Sequence, residues 1–282
     1  MSASILPRSR WTPWGPGMPA ALLCLILAIA VLGPAIAPHD PLEQNLAHRL
    51  APPSPVFWLG TDQLGRDLLS RLLLGARISV VVGFGAAALS LVIGTAAGLL
   101  AAFRGGVLDT LIMRASDVLL AFPSVLLAMV VATVLKAGLL GVILAAGLVS
   151  IPSFVRLAYA TMLVERGKTY VEAAITFGGG TAYIIGRSVL PNVAGPIAVQ
   201  TAFTVANAIV LEAGLSFLGL GVQPPTPSLG LIFQEARGYL RVDPLFGLWP
   251  GIVLIVLVLV LNAVADSLRR RLDPRSTPSL RP

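Results

Sequence analysis

Six long apolar stretches, each of eighteen residues or more and free of Asp, Glu, Lys and Arg, constrain what this chain can fold into. About 20 apolar residues cross a bilayer as a helix. The stretches run from Met18 to Ala37, Ile78 to Phe103, Val118 to Leu135, Ala137 to Val155, Val189 to Leu211 and Pro244 to Ala265. Only 12% of the residues are charged and the mean hydropathy is +0.87. A soluble domain carries about 25% charged residues, so this chain lacks the polar surface of a water-soluble globule. The composition excludes a disordered, collagenous or disulfide-scaffold protein and argues against a water-soluble enzyme. The expected fold class is all-α, a polytopic membrane protein with six transmembrane helices.

The lone cysteine, Cys24, allows no internal disulfide and no cysteine metal cluster. The net charge of +7 reads as membrane topology, because the basic residues do not cluster with aromatics on a polar domain. No nucleic-acid partner is expected. With the N-terminus inside, thirteen Lys and Arg fall on the cytoplasmic side and seven outside, which places both termini in the cytoplasm. Arg8, Arg10, the apolar run and Ala35-Ile36-Ala37 have the outline of a signal peptide, but Pro38 after the candidate site argues for a retained helix. The resulting organisation is a cytoplasmic tail (1–17), a first span (18–37), an extracytoplasmic loop (38–77), a five-helix core (78–268) and a basic cytoplasmic tail (269–282). Small residues in the second span, among them Gly83, Gly85, Gly94 and Gly98, allow close helix approach.

Pro41, Pro52, Pro53 and Pro55 keep the first half of the outer loop irregular. From Thr61, Leu64, Leu68, Leu72 and Ala76 recur at helical spacing, with Gln63, Arg66, Asp67, Ser70 and Arg71 opposite. The pattern predicts an amphipathic helix on the outer interface, capped by Asp62 and followed by the second span.

The longest cytoplasmic loop, at about 159–191, carries more information. Thr169-Tyr170-Val171-Glu172 has the form of a capping box. Tyr170, Ala173, Ala174 and Phe177 follow at i, i+3, i+4 and i+7 and predict one apolar face on a two-turn helix. Gly178 stops that helix by admitting positive φ. A second helical stretch is predicted from about Thr181 to Pro191. So short a helix is not stable alone and must dock, either on its own membrane domain or on a soluble partner. Gly178-Gly179-Gly180-Thr181 lacks the Gly-Lys-Ser/Thr ending of a nucleotide-binding loop.

Glu172-Ala173-Ala174, three residues, Gly178 and then Leu190-Pro191 resemble the EAA loop of permease subunits of binding-protein-dependent ABC importers. That family has an Ile two residues before the Leu-Pro, where this chain has Ser188. Leu59-Gly60-Thr61-Asp62-Gln63-Leu64-Gly65-Arg66-Asp67 resembles the outer-loop signature of the peptide and nickel branch. Leu190-Pro191-Asn192 and the run Leu215 to Val222 with Pro224-Pro225-Thr226-Pro227-Ser228 resemble its loop exit and fifth-span ending. Asn262, Asp266, Leu268, Arg269 and Leu272-Asp273-Pro274 resemble its C-terminus. The chain is thus similar to the C-type subunit of a dipeptide, oligopeptide or nickel importer of the bacterial inner membrane.

The resemblance implies a type I importer permease fold. It implies a homologous second permease, two ATPase subunits holding ATP and Mg, and an extracytoplasmic solute-binding protein as partners. No cofactor and no catalytic group are expected on this chain. The loop helix would sit in a cleft of one ATPase, with Tyr170, Glu172, Ala173, Ala174, Phe177, Gly178, Leu190 and Pro191 as its coupling residues. Asp117 and Glu212 border apolar segments and are candidates for the translocation pathway, since intramembrane acids face a cavity or a partner. Asp117 could instead pair with Arg114, and Glu212 with the second permease. His39 and His48 lack ligand spacing, so no metal site is expected. The rival classes are a self-contained secondary transporter, which would be expected to show mid-membrane charges and often repeats, a membrane-embedded enzyme, and a structural scaffold.

Overall fold

The structure, a computed structural model, describes residues 18–136 and 138–272. The expected N-terminal tail (1–17) with Arg8 and Arg10, and the tail beyond Leu272, lie outside the described residues. Helix α1 (Met18–Ile36) leads into a loop with one 3-10 turn, Leu46–His48. Then follow α2 (Leu68–Arg104), α3 (Gly106–Ala121), α4 (Ser124–Val134), α5 (Leu139–Arg166) and the short α6 (Thr169–Thr176). Helix α7 (Thr181–Tyr183) passes through a π-helical stretch, Ile184–Val189, into α8 (Leu190–Phe217); α9 (Leu229–Ala236) and α10 (Pro244–Leu272) complete the fold. The only extended pairing among the described residues is the bridge Thr61–Asp67.

Among the described residues, four helical units are long and apolar enough to cross a membrane: Leu68–Arg104, Leu139–Arg166, Thr181–Phe217 and Pro244–Leu272. Helices α3 and α4 together make a fifth, bent by 98° where Pro123 interrupts the backbone ladder. Helix α1 has a shorter apolar stretch, Ala21–Gly33. Six spans are therefore reached only by counting α1 and the bent pair. The third stretch, expected as one span from Val118 to Leu135, is broken at Phe122-Pro123.

Helix α2 is the centre of the bundle. At 37 residues and 1.5 Å per residue it is about 55 Å long, well beyond a hydrocarbon core of about 30 Å. The amphipathic helix expected on the interface and the second span are one continuous helix. It begins at Leu68, capped by Asp67 rather than Asp62; the Asp67 carboxylate accepts the Ser70 N–H at 2.9 Å. Its glycines face α5 and α8 at close range. A Cβ on Gly94 would lie 2.7 Å from the Ile151 carbonyl oxygen, one on Gly98 2.3 Å from that of Val155, and one on Gly83 2.8 Å from Ile209. Backbone, rather than a flexible side chain, blocks the space at Gly98. We expect Gly98→Ala to destabilise the detergent-solubilised protein by about 1–3 kcal/mol, the usual cost of overpacking. Gly251→Ala, where nothing lies within 4 Å, should leave the melting temperature in place.

Two of the buried clusters lie at opposite ends of the bundle. One, around Leu68, Leu72, Ile209, Leu229, Ile232 and Phe246, joins α2, α8, α9 and α10 at the end bearing the 37–67 loop. The other, around Leu99, Phe154, Met162, Val171, Ile184 and Val193, joins α2 and α5 to α6 and the start of α8 at the opposite end.

Candidate functional site: a docked loop helix

Helix α6 is held by its own chain on one side and open on the other. Val171 is fully buried in the second cluster and Ala174 packs partly against it. Glu172, Ala173 and Phe177 are exposed, and Phe177 is 90% accessible. The face expected from Tyr170, Ala173, Ala174 and Phe177 is thus divided: only Ala174 turns inward, and Val171 is the anchor. The capping box does not form. Lys168 is the N-cap and its carbonyl accepts the N–H groups of Val171 and Glu172. Lys168 is placed by its Nζ on Glu165 at 2.6 Å and by its N–H on the Glu165 carbonyl. That turn starts the helix one residue earlier than a Thr169 cap would.

Three polar groups lock the base of α6. The Tyr170 hydroxyl donates to Glu165 Oε2 and accepts from Asn192 Nδ2 at 3.2 Å. Asn192 also donates to the Ser188 carbonyl at 2.7 Å. The end of α5, the loop helix and the entry of α8 are thereby tied together. Desolvation, and then the Glu165 carboxylate, push the Tyr170 hydroxyl up to about 12. A phenol raised from about 10 stays protonated through the physiological range, so this donor is constant there; its contribution is lost only as pH rises through about 12. Glu165 and Asn192 were missed as anchors. Asn192 belongs to the Leu190-Pro191-Asn192 motif, whose structural reason is this bond.

Gly178 takes φ +77° and ends the helix, as expected. The Gly179 N–H bonds the Ala174 carbonyl at 2.9 Å, the long bond of a Schellman motif. The next helical stretch does not stop at Pro191. Pro191 lies just after the π-helical stretch Ile184–Val189 within a continuous helical unit, and the helix runs on to Phe217. Leu190 and Pro191 are both exposed there, near α6 in sequence and at the same end of the bundle.

The two candidate pathway acids are elsewhere. Asp117 pairs with Arg156 Nη2 at 2.9 Å, not with Arg114, and both side chains are about half exposed. Glu212 is fully buried within the chain. It accepts the Ser79 hydroxyl at 2.9 Å and the Ser216 hydroxyl at 2.7 Å, joining α8 to α2. In this structure its carboxylate is enclosed between α2 and α8 rather than open to a cavity.

A second polar site lies at the opposite end, in the loop before α2. Asp62, Arg66 and Arg71 are buried and meet Glu235 of α9. Arg66 Nε and Arg71 Nη1 both donate to Asp62 Oδ2. Arg71 Nη1 lies 2.7 Å from Glu235 Oε2, and Arg66 Nη2 3.3 Å from it. Asp62 Oδ1 also accepts the Leu64 and Arg66 N–H groups. Arg66 and Arg71 were expected on the polar face of an interfacial helix, with Asp62 as its cap. They face inward because Glu235, far away in sequence, closes a charged cluster with them. Gly60 and Gly65, at φ +80° and +73°, let the loop turn over the 45–52 segment.

A core of membrane-length helices around α2, with a short helix pinned rigidly outside it, is the architecture of an ABC importer permease. A chain of the MetNI methionine ABC transporter, crystallised facing inward, superposes with a TM-score of 0.60 over 72% of this chain and 96% of that one, at 18% identity. A profile for the binding-protein-dependent transport system inner membrane component matches residues 94–278, and one for the N-terminal transmembrane domain of oligopeptide transport permease C matches residues 20–53. The chain belongs to the binding-protein-dependent transport system inner membrane component family. It is 43% identical to the dipeptide transport system permease protein DppC of Haemophilus influenzae, over 90% of this chain and 88% of that one. It is 42% identical to the di/tripeptide permease DppC of Pseudomonas aeruginosa, over 90% and 86%, and 39% identical to the glutathione permease GsiD of Pectobacterium atrosepticum, over 89% and 84%.

Proposed function

We propose that this chain forms half of the translocation pathway of an ATP-driven importer for di- and oligopeptides. A homologous permease supplies the other half. Two ATPase subunits, which hold ATP and Mg, bind at the α6 end, and a solute-binding protein delivers cargo at the 37–67 loop end. The excess of Lys and Arg on the α6 side supports a cytoplasmic position for that end and for both termini.

One observation carries the reading: α6 is fixed by Val171 and the Glu165–Tyr170–Asn192 bonds while Phe177 stands 90% exposed. A large aromatic on a rigid knob has the form of a docking element, and an exposed Phe contributes nothing to this chain's own core. Closure of the ATPases would push on α6, and the buried Val171 would pass the displacement to α2, α5 and α8. Such rigid-body motion is an established way to convert closure at one end into access at the other. Tyr170, Glu172, Ala173, Ala174, Phe177, Gly178, Leu190 and Pro191 are the coupling residues in this reading. The chain needs no cofactor of its own.

Relatives at about 40% identity carry dipeptide, di/tripeptide and glutathione names, and all three cargoes are peptides; nickel is the alternative. The test is affinity purification of the tagged chain from its native membrane, followed by reconstitution of what co-purifies. Recovery of a second permease and two ATPases, with ATP-dependent uptake of labelled dipeptide, supports the proposal. A chain that purifies alone under conditions preserving other complexes, or a complex that imports nickel and no peptide, overturns it.

A further inference from the structure

The peptide-importer reading leaves open which side chains meet the cargo, and both acids first considered for that role are engaged elsewhere. A different feature lies between α4, α5 and α8. There a groove of about 620 Å³ opens beside the Pro123 bend. Its polar lining consists of Ser124, Ser150, Ser153, Gln200, Thr204 and Asn207. Among the described residues, none of those lining it is charged.

Depth makes this lining unusual. Gln200, Thr204 and Asn207 lie in the middle third of α8, and Ser150 and Ser153 in the middle third of α5. Polar groups at that depth must face protein or water rather than lipid. Ser150 and Thr204 bond back to carbonyls of their own helices, at 2.8 and 2.9 Å, and Gln200 Nε2 leans on Thr204 at 3.4 Å. Among the described residues, Ser124, Ser153 and Asn207 have no hydrogen-bond partner for their side chains, and all three are exposed. An apolar helix of a second subunit could not satisfy them, because its own backbone groups are already bonded. An extended peptide could: its main chain presents N–H and C=O groups every 3.3–3.6 Å or so.

We infer that this groove is the cargo-contacting wall of the pathway, and that it holds short peptides by main-chain hydrogen bonds to Asn207, Ser153 and Ser124. The inference rests on the peptide-importer reading. With no fixed charge in the groove, nothing there selects cargo by side-chain charge and nothing traps its termini. The wall is therefore a charge-indifferent conduit, and a carboxylate placed in it would make it discriminate.

The test uses the complete transporter in proteoliposomes with three tripeptides of equal length whose central residue is Lys, Ala or Glu. Each variant rate is divided by the wild-type rate for the same peptide. For Asn207→Asp we expect the Glu peptide to fall at least tenfold further than the Lys peptide, with Asn207→Ser showing no charge dependence. In a Cys24→Ser background, Asn207→Cys should react with a water-soluble thiol reagent, and cargo in excess should slow the reaction. Equal factors for the three peptides, or a thiol sealed from the reagent, overturn the assignment of the groove. A wild-type transporter that imports none of the peptides overturns instead the reading on which it rests, and thiol accessibility then still reports whether the groove is an open aqueous wall.

Discussion

In the reconstituted transporter, Phe177→Asp is expected to reduce ATP-driven uptake at least a hundredfold while the chain inserts and purifies normally. Phe177 is 90% exposed in this subunit, so the folded chain loses no core contact, and an exposed substitution of this kind changes stability within about 0.5 kcal/mol. Docked in a partner, the ring would be worth about 1.5–3 kcal/mol of burial, and the introduced carboxylate would add a desolvation cost there. A total near 3 kcal/mol is about a hundredfold in binding. Gly178→Pro and Glu172→Arg belong to the same experiment. Proline cannot adopt the φ of +77° that Gly178 takes, and Glu172 is an exposed charge on the same helix. Uptake rate and ATPase stimulation by loaded binding protein are the measurements. Wild-type uptake by a well-expressed Phe177→Asp transporter would remove α6 from the coupling path.

The second large effect concerns the other end of the molecule. Asp62→Ala leaves Arg66 and Arg71, both buried, with only Glu235 to share. Removing one member of a buried ion cluster costs about 3–5 kcal/mol, because the remaining charges stay desolvated. It also orphans the N–H groups of Leu64 and Arg66, which Asp62 Oδ1 accepts. We expect a large fall in the melting temperature in detergent and protease cleavage within 40–67. Glu235→Gln should cost less, since Glu235 is partly exposed and Asp62 still compensates both arginines. The double variant Asp62→Ala/Arg71→Met should recover part of the loss, because it removes a stranded charge as well as its partner. No recovery would show that Asp62 acts through the loop backbone alone.

The extent to which these features were legible follows from how local each one is. Span positions are local: a run of apolar residues needs no knowledge of its neighbours to be recognised as membrane-length. The stop at Gly178 is local too, since it depends on one residue's φ. The loop helix was found for the same reason, but its inward side was not. Periodicity marks a face without saying whether the chain or a partner covers it, and Val171, beside the expected stripe, became the anchor by packing into the buried cluster that includes Phe154, Met162 and Ile184. The bend at Pro123 had a visible signal that the charge-free run from Val118 to Leu135 overrode.

The signature from Leu59 to Asp67 shows the limit most clearly. As a motif it identified the family branch. As a pattern of charges it suggested a solvent face, because neighbours in sequence offered no reason to bury Arg66 and Arg71. The compensating carboxylate, Glu235, is brought there only when α9 folds against α2 and α8, where Gly75 leaves space for the start of α9 and Gly230 for Ala213 of α8. Glu212 is the converse case: as a lone acid near an apolar run it looked like a pathway group, until Ser79 from α2 met it. By itself, then, the sequence determined the membrane class, the positions of the apolar segments, the loop helix and the family, since each rests on composition or short-range spacing. Tertiary structure alone decided which polar residues are staples and which stand exposed in the groove, because the cost of burying a charge depends on what stands opposite it in space.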